Sequence, residues 1–144
     1  MSDCVFCDIL TGDRPADFVY RDEVCAAFMD IRPINPGHVL VIPQKHAVLL
    51  AELDEASVGH MLWVAQRVDS ALRTSGIQCD AVNLFLADGR AAGQEVMHVH
   101  LHVIPRYRGD GHHLRFSPAY FSPTPASELH TTADLIRKQM EGNA

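Results

Sequence analysis

Histidine recurs at every second position of MHVHLHVIPR (97–106), as His98, His100 and His102. Side chains alternate faces along a strand, so this spacing puts three imidazoles and Ile104 on one face. Val99, Leu101 and Val103 fall on the other, a core face. An ordinary solvated strand carries varied polar residues there. Three aligned imidazoles point to chemistry, and two kinds fit. Histidines at i and i+2 ligate Zn²⁺ through neutral ring nitrogens. In the other kind, one neutral imidazole attacks phosphorus while its second nitrogen is fixed by a carbonyl or carboxylate. A neighbouring histidine then donates to the phosphate oxygens.

The residues ahead of the histidines favour the second kind. DGRAAGQEV holds Gly89 and Gly93 in a short loop, and such a loop can offer backbone N–H groups to an anion. A further chemical pair stands at Cys4 and Cys7. Cys-x-x-Cys supplies two thiolates at chelating distance, and zinc needs two more ligands. Zinc is the best reading of the pair, and two small buried residues on a turn are the alternative. A thioredoxin-type motif normally follows a strand, and only three residues precede Cys4. Cys25 and Cys79 lack such partners and read as core. His60, His112, His113 and His130 read as surface histidines.

The elements that must position these groups follow from patterning. Asp3 to Gly12 makes a short helix ended by the glycine. DFVYRD and VCAAFMDI read as two strands around a charged turn at Arg21-Asp22-Glu23. RPINPG is a turn, and HVLVIP a largely buried strand stopped by Pro43. The longest helix runs from about Asp54, its N-cap, to Ser75, with Gly76 beyond it. Val58, Met61, Leu62, Ala65, Val68 and Leu72 give it one apolar stripe. AVNLFLA and MHVHLHVIP pair as a hairpin around the glycine loop. An irregular stretch follows, then a helix from about Ser127 to Met140. Strands cluster and helices stand apart, which is an α+β class with a mainly antiparallel sheet.

Composition bounds the function. The chain of 144 residues suits one domain with a real core, and 47% apolar residues exclude a disordered chain. A formal net charge of −6 argues against a nucleic-acid polymer as partner, though not against a small phosphorylated substrate. No apolar run approaches the roughly 18 residues of a membrane span, and MSDCVFCDIL does not read as a signal peptide. The expected compartment is the reducing cytoplasm, where thiols stay free or bind metal.

GQEVMHVHLHVIPR resembles the signature of the histidine-triad (HIT) family, His-φ-His-φ-His-φ-φ with φ apolar, at His98 to Ile104. AFMDIRPINPGHVLVIPQKH is similar to an upstream block of the bacterial, Hint-like and Fhit-like members. The resemblance spans roughly residues 3 to 108. It implies a HIT-like α+β fold, a five-stranded antiparallel sheet with one long and several short helices, usually paired as a homodimer through the long helix. The whole chain then reads as one HIT domain with an irregular and helical extension from about residue 107.

The resemblance also implies roles. His100 would be the nucleophile, forming a covalent nucleotidyl-histidine that water hydrolyses, and His102 would contact the phosphate. Asp30 would bind ribose hydroxyls. Phe6, Ile9, Phe28 and Ile31 would lie near the base, His38 close behind the triad, and Gly93 and Gln94 at the phosphate loop. His46 and His98 would complete a structural zinc site with Cys4 and Cys7, and no organic cofactor is implied. Two positions depart from the pattern. Ala87 stands where the family often has Asn or Gln, and Glu95 where it often has Ser or Thr. Glu95 is either an acid for the leaving group or a charge that repels a polyphosphate. The expected activity is a nucleotide hydrolase cleaving a nucleoside α-phosphate from an amine or a phosphate. A binding or sensing module with little turnover, and a metallohydrolase with all three histidines on one metal, are the alternatives.

Overall fold

The computed structural model describes residues 3–142. It divides into two units, one up to Asp110 and one from Gly111 onward. In the first, α1 (Val5–Thr11) leads to β1 (Phe18–Arg21), β2 (Cys25–Met29) and β3 (Val39–Pro43). After α2 (Glu55–Thr74) come β4 (Ala81–Phe85) and β5 (Leu101–Arg106). The five strands form one sheet in the order β1-β2-β3-β5-β4, and every pairing is antiparallel.

The continuous apolar runs of β2 and β3 follow from their central place, where both faces are covered. Cys25, Ala27, Val39 and Val41 pack with Met61, Val64, Ala65, Val68 and Leu72 of α2. The alternate residues Ala26, Phe28, Leu40 and Ile42 pack with Phe6, Ile9 and Leu10 of α1. Period-two patterning thus gives each helix its own face.

Helix ends follow their sequence signals. Gly12 closes α1 in the left-handed region at φ 88°. Asp54 caps α2 by accepting from Ser57 N at 2.7 Å, and Gly76 follows with φ 85°. The apolar stripe of α2 is rotated from the expected one. Val64 joins the buried set, whereas Leu62 is 54% exposed beside Trp63. His60 is also more than a surface residue. Its Nε2 lies 2.6 Å from Asp22 Oδ2, which also accepts from the Tyr20 hydroxyl at 2.6 Å. Those bonds, with the backbone N–H groups of Val24 and Cys25, hold the Asp22 carboxyl below its ordinary range and pin α2 to the β1–β2 turn.

The expected strand from Met97 is shorter. Ladder pairing begins at Leu101, so His98 and His100 precede β5. The alternation still holds. Val99 N–H donates to Ala47 O at 2.8 Å, and Val99 and Val103 stay in the α2 core.

In the second unit α3 (Ala126–Gly142) follows a short turn of 3₁₀ helix at Pro118–Phe121. Phe116 stacks on Tyr120 with centroids 4.2 Å apart. No helix of the described residues is long and apolar enough to cross a membrane.

Candidate active site and metal centre

The histidine face is buried rather than solvated. His98 is fully buried and His100 nearly so, and α1 covers both through Phe6, whose ring centroid lies 5.9 and 5.2 Å from theirs. A cleft of about 470 Å³ opens beside them. Phe6, Ile9 and Phe28 line its apolar side, with Ile31 at its exposed rim; Asp30, His38, His100 and His102 line its polar side. β3 and β4 set His102 between its cross-strand neighbours Leu40 and Phe85.

Hydrogen bonds assign each ring its tautomer. His100 Nδ1 lies 2.7 Å from His98 O, so it carries the proton and donates. That leaves the Nε2 lone pair of His100 free. Ile34 N–H donates to His38 Nδ1 at 3.1 Å, which places the His38 proton on Nε2. This nitrogen donates to His102 Nδ1 at 2.8 Å, so neutral His102 carries its own proton on Nε2. The triad thus presents one bare nitrogen and one N–H donor, on neighbouring rings with centroids 4.9 Å apart. Burial holds His102 neutral, pulling its pKa down to about 4, with His100 and His38 adding to the effect. Burial lowers His38 too, against the opposing pull of Asp30.

Asp30 lies in the cleft wall. Its Oδ1 accepts from Arg32 N at 2.8 Å, and its Oδ2 stands 3.6 Å from His38 Nε2. Gly93 lines the cleft, at φ 91°. Gln94 does not reach it. Its side chain is buried, with Oε1 accepting from Gly89 N and Nε2 donating to Val48 O, both at 2.8 Å. Each end of the amide thus bonds to backbone, and Gln94 braces the glycine loop. Glu95 is exposed at the cleft and pairs with Arg32 at 3.0 Å. Ala87 is buried and offers the cleft no polar group.

His98 faces elsewhere. Its Nε2 donates to Pro43 O at 3.0 Å, which leaves Nδ1 bare toward Cys4 Sγ at 3.5 Å and Cys7 Sγ at 3.7 Å. His46 Nδ1 lies 3.3 Å from Cys7 Sγ. The four donor atoms all fall within 4.8 Å of one another. Two thiols and two imidazoles are the donor set of a closed tetrahedral zinc site, and the Pro43 carbonyl fixes the tautomer such a ligand needs. Burial and the adjacent Cys4 push the Cys7 thiol up to about 11, a penalty on its thiolate that a bound cation would offset. The residues therefore fit zinc. The three triad histidines do not gather on one ion. Among the described residues His98 groups with the cysteines, and His102 with Asp30 and His38.

Pro43 and Ile34 carry no side-chain signal in the sequence, because both act through backbone atoms. Phe85, whose ring lies 5.7 Å from His102, reads in sequence only as one more strand residue.

A five-stranded antiparallel sheet that carries a buried histidine pair beside an apolar cleft defines a class of small α+β domain. The HIT domain model matches residues 11–109, and the chain belongs to the HIT family. It is 42% identical over 113 residues to an uncharacterized HIT-like protein of Methanocaldococcus jannaschii, covering 78% of this chain and 86% of that one. An adenylylsulfatase of Arabidopsis thaliana is 36% identical over 109 residues, 76% of this chain and 55% of the plant protein. The crystal structure of a zinc-bound histidine triad family protein from Mycobacterium smegmatis is similar with TM-score 0.74 and 46% identity. That match covers 81% of this chain and 84% of that one.

Proposed function

We propose that this protein is a nucleotide hydrolase or transferase that works through a covalent nucleotidyl-histidine on His100. The observation that carries the reading is the 2.7 Å bond from His100 Nδ1–H to the His98 carbonyl, which in the neutral ring leaves Nε2 as the nitrogen with the lone pair, the one a nucleophile uses. Nε2 attacks the α-phosphorus, and the bond from phosphorus to the leaving group breaks with its electron pair on that group. Water then attacks phosphorus, the N–P bond breaks, and the nucleoside monophosphate leaves. The Nε2–H of His102 donates to a phosphate oxygen as charge builds there. Asp30 accepts from ribose hydroxyls, and Phe6, Ile9, Phe28 and Ile31 receive the base, with Gly93 at the phosphate loop.

Cys4, Cys7, His46 and His98 would hold zinc, which supplies structural linkage of α1 to the histidine segment. The metallohydrolase alternative loses support because His98 and His102 have separate partners. Little turnover remains the competing reading, and it is favoured by the missing polar group at Ala87. The exposed apolar residues Leu62, Trp63, Leu84 and Phe85 on α2 and β4 support a homodimer. Reduced thiols at the zinc site suit the cytoplasm.

The test is incubation with adenosine phosphoramidate and with diadenosine polyphosphates, followed by intact mass of the protein. A trapped nucleotidyl adduct, absent in His100→Ala, is the expected result. Full turnover by His100→Ala sinks the mechanism.

A further inference from the structure

Arg32 and Glu95 meet at the cleft mouth across 63 residues of sequence, Nη2 to Oε2 at 3.0 Å. Arg32 comes from the turn after β2, two residues beyond Asp30. Glu95 comes from the loop that leads into the histidines, and its charge is felt at His102. Among the described residues, Arg32 is the one Lys or Arg that lines the cleft, and Asp30 and Glu95 are its two acids. The guanidinium is thus already engaged by a carboxylate, and a second phosphate entering here finds no spare cation. Both side chains are largely exposed, at 80% and 75%, so the pair sits at the mouth of the cleft, where a leaving group would pass, rather than in its floor.

We propose that the Arg32–Glu95 pair selects the charge of the leaving group, favouring a neutral or cationic amine over a phosphate. The inference rests on the nucleotidyl-histidine reading above and names the substrate class for it. When a P–N bond breaks, the nitrogen first takes one proton from solvent and becomes cationic while still bonded to phosphorus; the bond then breaks with its electron pair on nitrogen, which departs as a neutral amine. Glu95 stabilises the cationic nitrogen. When a P–O bond to a second phosphate breaks, the departing oxygen gains negative charge beside Glu95, which opposes it. Only interactions that grow toward the transition state change the rate of the chemical step, and these two grow with opposite sign.

The experiment measures kcat/KM of the full, zinc-loaded chain for an adenosine phosphoramidate with a neutral alkylamine leaving group and for diadenosine triphosphate. Wild type, Glu95→Gln and Arg32→Gln are compared at low and high salt. Glu95→Gln frees Arg32 and raises the triphosphate-to-phosphoramidate ratio about tenfold, the scale of one charge a few ångströms away in a partly solvated site. Arg32→Gln lowers that ratio by a similar factor, and both shifts shrink in high salt. A ratio unmoved by either substitution overturns the inference. So does a Glu95→Gln protein that loses only phosphoramidate turnover together with one limb of its pH profile, which marks a proton donor. If wild type hydrolyses neither substrate, the failure belongs to the hydrolase reading itself.

Discussion

His38 Nε2 donates to His102 Nδ1 across 2.8 Å, and that bond fixes which nitrogen of His102 faces a ligand with a proton on it. His38 can do this because Ile34 N–H occupies its other nitrogen. A backbone donor in the RPINPG turn therefore sets the protonation pattern of a histidine on β5, through one intervening ring.

Replacing His38 with Phe keeps the buried volume and removes the donor. His102 then loses its fixed tautomer, and its Nδ1 is left without a partner. Turnover number should fall about tenfold, the rate equivalent of one hydrogen bond, while KM changes less. His38→Gln supplies an amide N–H and should recover part of the loss. Nitrogen chemical shifts of His102 separate a tautomer change from a collapsed site. Unchanged shifts with unchanged turnover count against the relay.

The depressed pKa of His102 predicts the direction of acid sensitivity. Its ordinary value is 6.5 and its folded value is about 4. Above pH 6.5 both folded and unfolded chains hold it neutral, and its contribution to stability is fully present. Between pH 6.5 and pH 4 the unfolded chain takes up a proton that the folded one excludes, so stability falls as pH falls. His38, shifted the same way by burial, adds to the slope. Denaturant midpoints across this window should decline in wild type and decline less in His102→Gln.

The patterned elements of the chain were legible before the structure. The α1 stop at Gly12, the α2 cap at Asp54 and the two-sided burial of β2 and β3 all follow from local chemistry. The same alternation placed His98, His100 and His102 on one face, and it holds although ladder pairing starts only at Leu101. What sequence could not give is where each ring's second nitrogen goes. Those partners are carbonyls and N–H groups of Pro43, His98 and Ile34, and backbone atoms carry no residue signature. Gln94 shows the converse. Its type suggests ligand contact, while both ends of its amide bond to backbone inside the loop. Leu62 fits a helical stripe by spacing, yet the stripe that packs is centred on Val64.

Gly37 predicts a stability effect with a consequence at the site. Its φ of 98° lies in the left-handed region, and an added Cβ would sit 2.9 Å from Leu72 Cδ2 and 3.3 Å from Pro105 Cγ. Gly37→Ala therefore combines backbone strain with a clash against α2, costing roughly 2–3 kcal/mol. The strain falls next to His38. Equilibrium denaturation should show the loss, with turnover at saturating substrate reduced in the folded protein. An alanine variant of wild-type stability means the turn adjusts freely.

Zinc loss separates a structural from a catalytic metal. Cys7→Ser and His46→Ala each remove one donor and should lower the zinc content measured per chain. Because His98 also carries the backbone bond that orients His100, the fold around α1 should loosen first. The thermal midpoint should drop by several degrees, as expected where ligand binding is coupled to folding. In the proposed reading the His100 proton stays on Nδ1, donated to the His98 carbonyl, and no step passes through the zinc ligands. Turnover per folded chain should then decline gradually with lost order, not stop with the last zinc. Circular dichroism that stays native while chelation abolishes all turnover at once would instead place the metal in the chemical step.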